Sequence, residues 1–147
     1  MRHSVRYMKV LLSIKPEFAE RIFDGTKRFE FRRSVFRDRS VRTVVVYVTR
    51  PVGKILGEFD IAGILTEAPD ALWDMTHSHA GISREFFNSY FEGRVSANAI
   101  EVAEVRRFAT PLEPSVMIEN FTPPQSYMYV SDEIGRNTDN KRQYELL

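Results

Sequence analysis

The chain has 147 residues, no cysteine, and 21 Lys/Arg against 20 Asp/Glu for a net charge of +1. That length suits one domain with a core of its own, and the missing thiols exclude disulfides and thiolate metal centres. The longest apolar run, Val44 to Val48, is far too short to cross a bilayer, and no bulk charge draws the chain to polyanions.

Met1 to Tyr7 lacks the apolar core of a secretory signal, which with the absent cysteine leads us to expect a cytoplasmic protein. Val10 to Ile14 reads as a buried strand. Pro16 suits the first position of a helix, where its missing N–H costs nothing. Phe18, Ala19, Ile22 and Phe23 make the apolar stripe of that helix. Asp24-Gly25 ends it, with Gly25 free to take a positive φ. Lys27 to Arg33 is the next expected strand, and residues 37–42 a polar connection. Thr43 to Thr49 is β-branched on both faces, so it is expected to be central.

Ile55 to Leu65 reads as a long strand, with Gly57 and Gly63 as places for bulges. Pro69 opens a helix carrying Leu72 and Trp73. Ser83 caps another, with Ile82 and Phe87 placed as a hydrophobic staple. Phe86, Phe87, Tyr90 and Phe91 have helical spacing and are expected in the core. Ala99 to Phe108 reads as a strand, residues 109–124 as an extended proline-rich wrap, and Gln125 to Val130 as a last short strand. The elements predict an α+β domain on a small mixed β-barrel with flanking helices. The expected division is an N-terminal extension at 1–7, the domain at 8–130 and a C-terminal tail at 131–147.

Charge is not spread evenly. Seven Lys/Arg (27, 28, 32, 33, 37, 39 and 42) face two acids, Glu30 and Asp38, between Lys27 and Arg42. Such a cluster makes a local positive field that attracts phosphates; a solvated loop explains it equally well. Within it, Gly25-Thr26-Lys27-Arg28-Phe29-Glu30-Phe31-Arg32 has the period of a strand. Phe29 and Phe31 share one face, while Arg28, Glu30 and Arg32 share the other.

Three stretches carry a resemblance: Leu12-Ser13-Ile14-Lys15-Pro16-Glu17-Phe18-Ala19, the G-x-K-x-x-E-x-R run from Gly25 to Arg32, and Pro123-Pro124-Gln125-Ser126-Tyr127. Together, over roughly residues 8 to 130, they resemble the ASCH domain family, whose fold is PUA-like. The resemblance implies a small β-barrel and a cleft that takes RNA or a modified nucleotide, lined by Lys27, Glu30 and Arg32. Some members of the family are enzymes. One branch removes an acyl group from N4-acetylcytidine with a Lys, a Thr and a Glu, and ribonuclease activity is also attributed to the family. The nucleophilic Thr of that branch falls three residues after the motif lysine, where this chain has Glu30, which argues against Thr-based acyl transfer here.

If these groups converge, Arg32 offers a planar fork for a phosphate or a base edge. Lys27 supplies a point charge, and Glu30 can accept from an exocyclic amine as carboxylates do with cytosine. Tyr47, Tyr127 and Tyr129 are candidate stacking surfaces. Ser13 and Lys15, before the first helix, are candidates for a phosphate, and Gln125, Ser126 and Tyr127 for amide and hydroxyl contacts. The bland alternative makes Glu30–Arg32 a strand ion pair worth under about 1 kcal/mol. His77-Ser78-His79 lacks a third ligand, and no P-loop or dinucleotide fingerprint is present, so neither metal nor cofactor is expected. The leading expectation is a binding module for RNA or a nucleotide. An amidohydrolase or ribonuclease at the same cleft is the alternative, in which Lys27 would need burial or a cationic neighbour to lower its pKa. A module for protein partners is a third.

Overall fold

In a computed structural model of the chain, residues 7–136 are described. Six strands form one mixed sheet: β1 (Tyr7–Ile14), β2 (Phe29–Arg32), β3 (Thr43–Val48), β4 (Lys54–Glu67), β5 (Ala97–Leu112) and β6 (Met128–Ser131). Their order across the sheet is β2-β5-β4-β3-β1-β6. The β1–β3 pair is parallel, because α1 (Pro16–Phe23) and β2 lie between them in the chain and carry it back across the sheet. All other pairs are antiparallel. Helices α2 (Pro69–Thr76) and α3 (Arg84–Tyr90), joined through a 3₁₀ turn at His77–His79, separate β4 from β5, and α4 (Pro114–Met117) follows β5.

β3 is central, as its two-sided β-branched pattern predicts. Val44, Val46 and Val48 bury into one core cluster with Val10, Leu12, Ile14, Ala19, Ile22 and Ile100. Val45 and Tyr47 bury on the opposite face with Leu11, Ile55, Phe108 and Ile134. A third cluster gathers Phe31, Leu72, Phe87, Phe91 and Ala99 beneath α2 and α3. Register shifts between Ile55 and Gly57 and between Ile61 and Gly63 mark bulges in β4, which add bend and twist to a long strand. Gly57 has a second reason to be glycine. A Cβ there would lie 2.3 Å from the Arg106 carbonyl and 2.7 Å from the Phe23 ring.

The sheet is open in its hydrogen bonding. Among the described residues β2 and β6 are edge strands with one neighbour each, so the expected barrel holds only loosely. The sheet nevertheless rolls up. Arg32 of β2 reaches Ser13 of β1, although those strands stand four places apart in the sheet order.

Residues 109–124 are less irregular than expected. β5 runs on to Leu112, and α4 follows. The last strand is shorter and later than expected, Met128–Ser131. Ile134 is buried in the second cluster, and the Lys9 ammonium donates to its carbonyl at 2.7 Å. Residues 1–6 and 137–147, most of the expected extension and tail, lie outside the described residues. Among the described residues no helix is long and apolar enough to cross a membrane.

Candidate functional site around Lys27

Helix α1 stops at a glycine turn. Gly25 has φ +88°, and the Asp24 carboxylate accepts from the Thr26 N–H at 2.9 Å and from its hydroxyl at 2.7 Å. This is the local Asx geometry that reverses a chain, and it turns Lys27 inward. Lys27 is only 2 % exposed. Its stem lies against Gly81, where a Cβ would meet Lys27 Cβ and Cγ at 2.5 Å. Its Nζ donates to the Ala80 carbonyl at 2.7 Å and stands 4.8 Å from the Phe31 ring centroid and 5.4 Å from that of Phe18. Ring faces attract a cation, but they do not replace its water. Burial therefore lowers the Lys27 pKa to about 8, with Arg21 and Arg32 adding to the fall and Glu30 opposing it.

β2 presents Glu30 and Arg32 on one face, and Phe31 on the other, inside the third core cluster. Glu30 is buried, and its Oε2 accepts from Arg32 Nε at 3.1 Å. Arg32 Nη2 donates to the Ser13 carbonyl at 2.8 Å, and Nη1 to the Ser126 carbonyl at 3.4 Å. Three of the five guanidinium N–H groups are thus committed within the protein. The expected free fork for a phosphate is a brace instead. The pair is also unlike an exposed strand ion pair, because both side chains are withdrawn from water and removing either one would leave a buried charge.

These groups open onto a cleft of about 150 Å³. Ser13, Lys15, Lys27, Glu30 and Arg32 supply its polar side, while Phe18, Ile82, Phe86 and Tyr90 supply an apolar wall. Phe86 and Tyr90 were expected in the core with Phe87 and Phe91. α3 has seven residues, and its three aromatics with Phe91 at the C-cap form two adjacent stripes. Phe87 and Phe91 pack edge-on against Phe31, whereas Phe86 and Tyr90 face the cleft with rings only 13° from parallel and centroids 6.3 Å apart. Lys15 Nζ lies 5.4 Å from the Phe86 ring, and the Arg33 guanidinium lies 4.3 Å from that of Tyr90. The i, i+4 spacing of 86 and 90 was visible in the sequence, but which stripe a short helix buries was not.

The remaining candidates are spread around or away from the cleft. The Ser13 hydroxyl donates to the Pro124 carbonyl at 2.8 Å. Ser126 touches the rim through its carbonyl on Arg32, and its hydroxyl is 3.3 Å from that of Ser34. Gln125 is exposed and does not line the cleft. Tyr127 packs on Phe36 and Tyr129, and the Tyr129 hydroxyl accepts from the Asp38 N–H. Tyr47 is a correction: it is buried against Phe121 in the second cluster, on the face of the sheet away from Val46. The alternation of β3 decides this, because a valine on either side of the tyrosine sends it to the other core. The aromatics at the cleft are therefore Phe18, Phe86 and Tyr90 of the helices with Phe31 of β2, not Tyr47. His77 and His79 bracket the 3₁₀ turn, whose His79 carbonyl accepts from the Arg28 N–H at 2.9 Å. That turn carries the Ala80 carbonyl that holds Lys27.

Comparison with known proteins agrees with this architecture. Residues 12–114 match the ASCH domain family. An ASCH domain-containing ribonuclease from Zymomonas mobilis is 30 % identical over 131 residues, covering 85 % of this chain and 86 % of that protein. A crystal structure of ASCH from Zymomonas mobilis superposes with a TM-score of 0.79 at 27 % identity, covering 96 % of each chain. The N-terminal domain of Staphylothermus marinus McrB shares the fold, with a TM-score of 0.56 and 12 % identity over 91 % of this chain and 94 % of that one. With the family pattern spanning most of its length and carrying the Lys27, Glu30 and Arg32 that line the cleft, this chain belongs to the ASCH domain family.

Proposed function

We propose that the cleft around Lys27 binds single-stranded RNA by receiving one base. The observation that carries this reading is the cleft itself: a polar side with one acid and three cations, faced by an aromatic wall, in about 150 Å³. A cavity of roughly that volume holds a single six-membered aromatic ring, so a base fills it, with its ribose at the mouth and the phosphates outside. Splayed single-stranded bases are read in this way, by stacking and by hydrogen bonds to their edges. Phe86 and Tyr90 offer the stacking surface. Glu30 Oε1 is left to accept from an exocyclic amine, because Arg32 takes Oε2. Lys15 stands at the edge for a phosphate. Membership of the ASCH family and a relative described as a ribonuclease support RNA as the ligand class.

Fluorescence anisotropy with short labelled single strands tests this. Affinity is expected to fall with salt and to drop roughly tenfold or more in Lys27→Ala, as loss of a charge-assisted contact would give. A salt-independent affinity, or an undiminished one in Lys27→Ala, would refute the site.

One observation favours a second reading, cleavage of the bound RNA. A lysine with a pKa of about 8 is partly unprotonated near neutrality and can act as a general base. Lys27 Nζ would take the proton of a ribose 2′-hydroxyl. The 2′-oxygen would then bond to the adjacent phosphorus and the 5′-oxygen would leave, taking a proton from water, to give a 2′,3′-cyclic phosphate. Incubation of an end-labelled RNA with the wild type and with Lys27→Met tests it. The expected result is cleavage that rises with pH towards about 8 and is lost in the variant. An intact RNA with the wild type would reject catalysis and leave binding.

A further inference from the structure

Residues directly opposite one another in paired strands lie on the same face of a sheet. Arg32 faces Asn98, which faces Thr66, and Glu30 faces Ile100, which faces Ile64. The charged side chains of the cleft thus share a sheet face with the C-terminal part of β4, two strand spacings or about 10 Å away. A second cavity, of about 250 Å³, runs there between residues 39–42 and β4. Val41, Ile61 and Ile64 give it an apolar lining, Arg39 and Arg42 are its charged residues, and no acidic side chain lines it. Gly63 leaves open space where a Cβ would stand.

The segment 33–42 connects the two cavities. At one end Arg33 lies on the Tyr90 ring and donates to the Tyr90 carbonyl at 2.8 Å. In the middle Phe36 and Val41 bury in the first core cluster. At the other end Arg39 and Arg42 reach the groove. Some arginines among the described residues are held by carboxylates and others are not. Arg84, Arg106, Arg107 and Arg136 each pair with a carboxylate. Among the described residues Arg37, Arg39 and Arg42 pair with none. The nearby acids are engaged: Asp38 accepts from the Ser40 N–H and hydroxyl, and Asp60, opposite Thr43 in the sheet, accepts from both terminal nitrogens of Arg106.

We propose that this groove is a second contact for the RNA strand whose base enters the cleft, with Arg39 and Arg42 on its sugar-phosphate backbone. The inference rests on the RNA reading of the cleft. Unpaired guanidiniums around an apolar trough complement a chain that alternates phosphates with flat, weakly polar faces. A trough without acids gives a cationic partner nothing to bind.

The test is anisotropy with single-stranded RNAs of about two and about twelve nucleotides across a range of salt. The double variant Arg39→Gln/Arg42→Gln changes exposed side chains, and circular dichroism checks its fold. It is expected to bind the shorter RNA as the wild type does and the longer one about tenfold more weakly, with a log–log salt slope shallower by about 1.4 for two lost phosphate contacts. Lys27→Ala is expected to weaken both. If the double variant keeps the affinity and slope for the longer RNA while Lys27→Ala still weakens both, the groove proposal is overturned and the cleft stands. If the wild type binds neither RNA, both fall. Equally strong competition by an oligoglutamate of matched charge would overturn a nucleic-acid contact and assign the groove to an acidic peptide.

Discussion

Burying the Lys27 ammonium costs it hydration, and the Ala80 carbonyl with two ring faces only partly restores what water gave. Its pKa therefore falls from 10.5 to about 8 in the folded chain. Between those values the unfolded chain binds more protons than the native one, so this residue makes stability rise with pH across that window. The gap from about 8 to 10.5 corresponds to roughly 3 kcal/mol. Urea unfolding of the wild type and Lys27→Met, compared at pH 7 and near pH 10, should show the difference in stability moving by that order in favour of the wild type. A constant difference would mean that the lysine titrates normally. Gly81 makes the same burial possible. Its φ is +68° and a Cβ would collide with the Lys27 stem at 2.5 Å, so Gly81→Ala meets both backbone strain and overlap. It should lower stability by at least about 1 kcal/mol and weaken RNA binding, read by melting and by anisotropy.

At the scale of elements, α3 does two things with seven residues. Phe87, with Phe91 at the C-cap, fastens the helix to β2, while Phe86 and Tyr90 face the cleft. The helix is too short to hold itself, and it depends on Ser83, whose hydroxyl accepts from the Phe86 N–H at 3.0 Å. Ser83→Ala should cost about 1 kcal/mol in denaturant unfolding. Phe86→Ala and Tyr90→Ala should leave the core intact and each weaken RNA binding by about 1–3 kcal/mol if a base stacks there. Unchanged affinity in both would remove stacking from the reading of the cleft.

For the whole molecule, the decisive feature is a sheet that rolls without closing. Arg32 bridges the gap through side-chain bonds to Ser13 of β1 and to Ser126, just before β6. One residue thereby holds three stretches of chain around the cleft and neutralises buried Glu30. Arg32→Ala would remove the bridge and strand the Glu30 charge, at a cost of about 3–5 kcal/mol. The double variant Glu30→Gln/Arg32→Gln should recover part of that loss. Hydrogen exchange should rise in β2 and around Ser126 and not in β3. Equal losses in the single and double variants would show that the stranded charge is not the cause.

Local rules made much of this legible. The starts of α1 and α3, the glycine turn after α1, the central place of β3 and the division of β2 into a charged and an aromatic face all follow from period, caps and turn chemistry, which act between near neighbours. The approach of Glu30 and Arg32 to Lys27 was expected from family resemblance rather than from spacing, and Ser13 and Lys15 were candidates only from their place before the first helix. Three things depended on packing between distant segments. Tyr47 went to the far core because its strand is buried on both faces. Phe86 and Tyr90 became cleft wall because only one stripe of α3 could reach Phe31. Arg32 became a brace because the sheet rolled β1 towards it. Sequence alone determined which residues are charged, aromatic or free to turn. Tertiary structure alone decided which of them meet, since that depends on how six strands order and curl over a shared core.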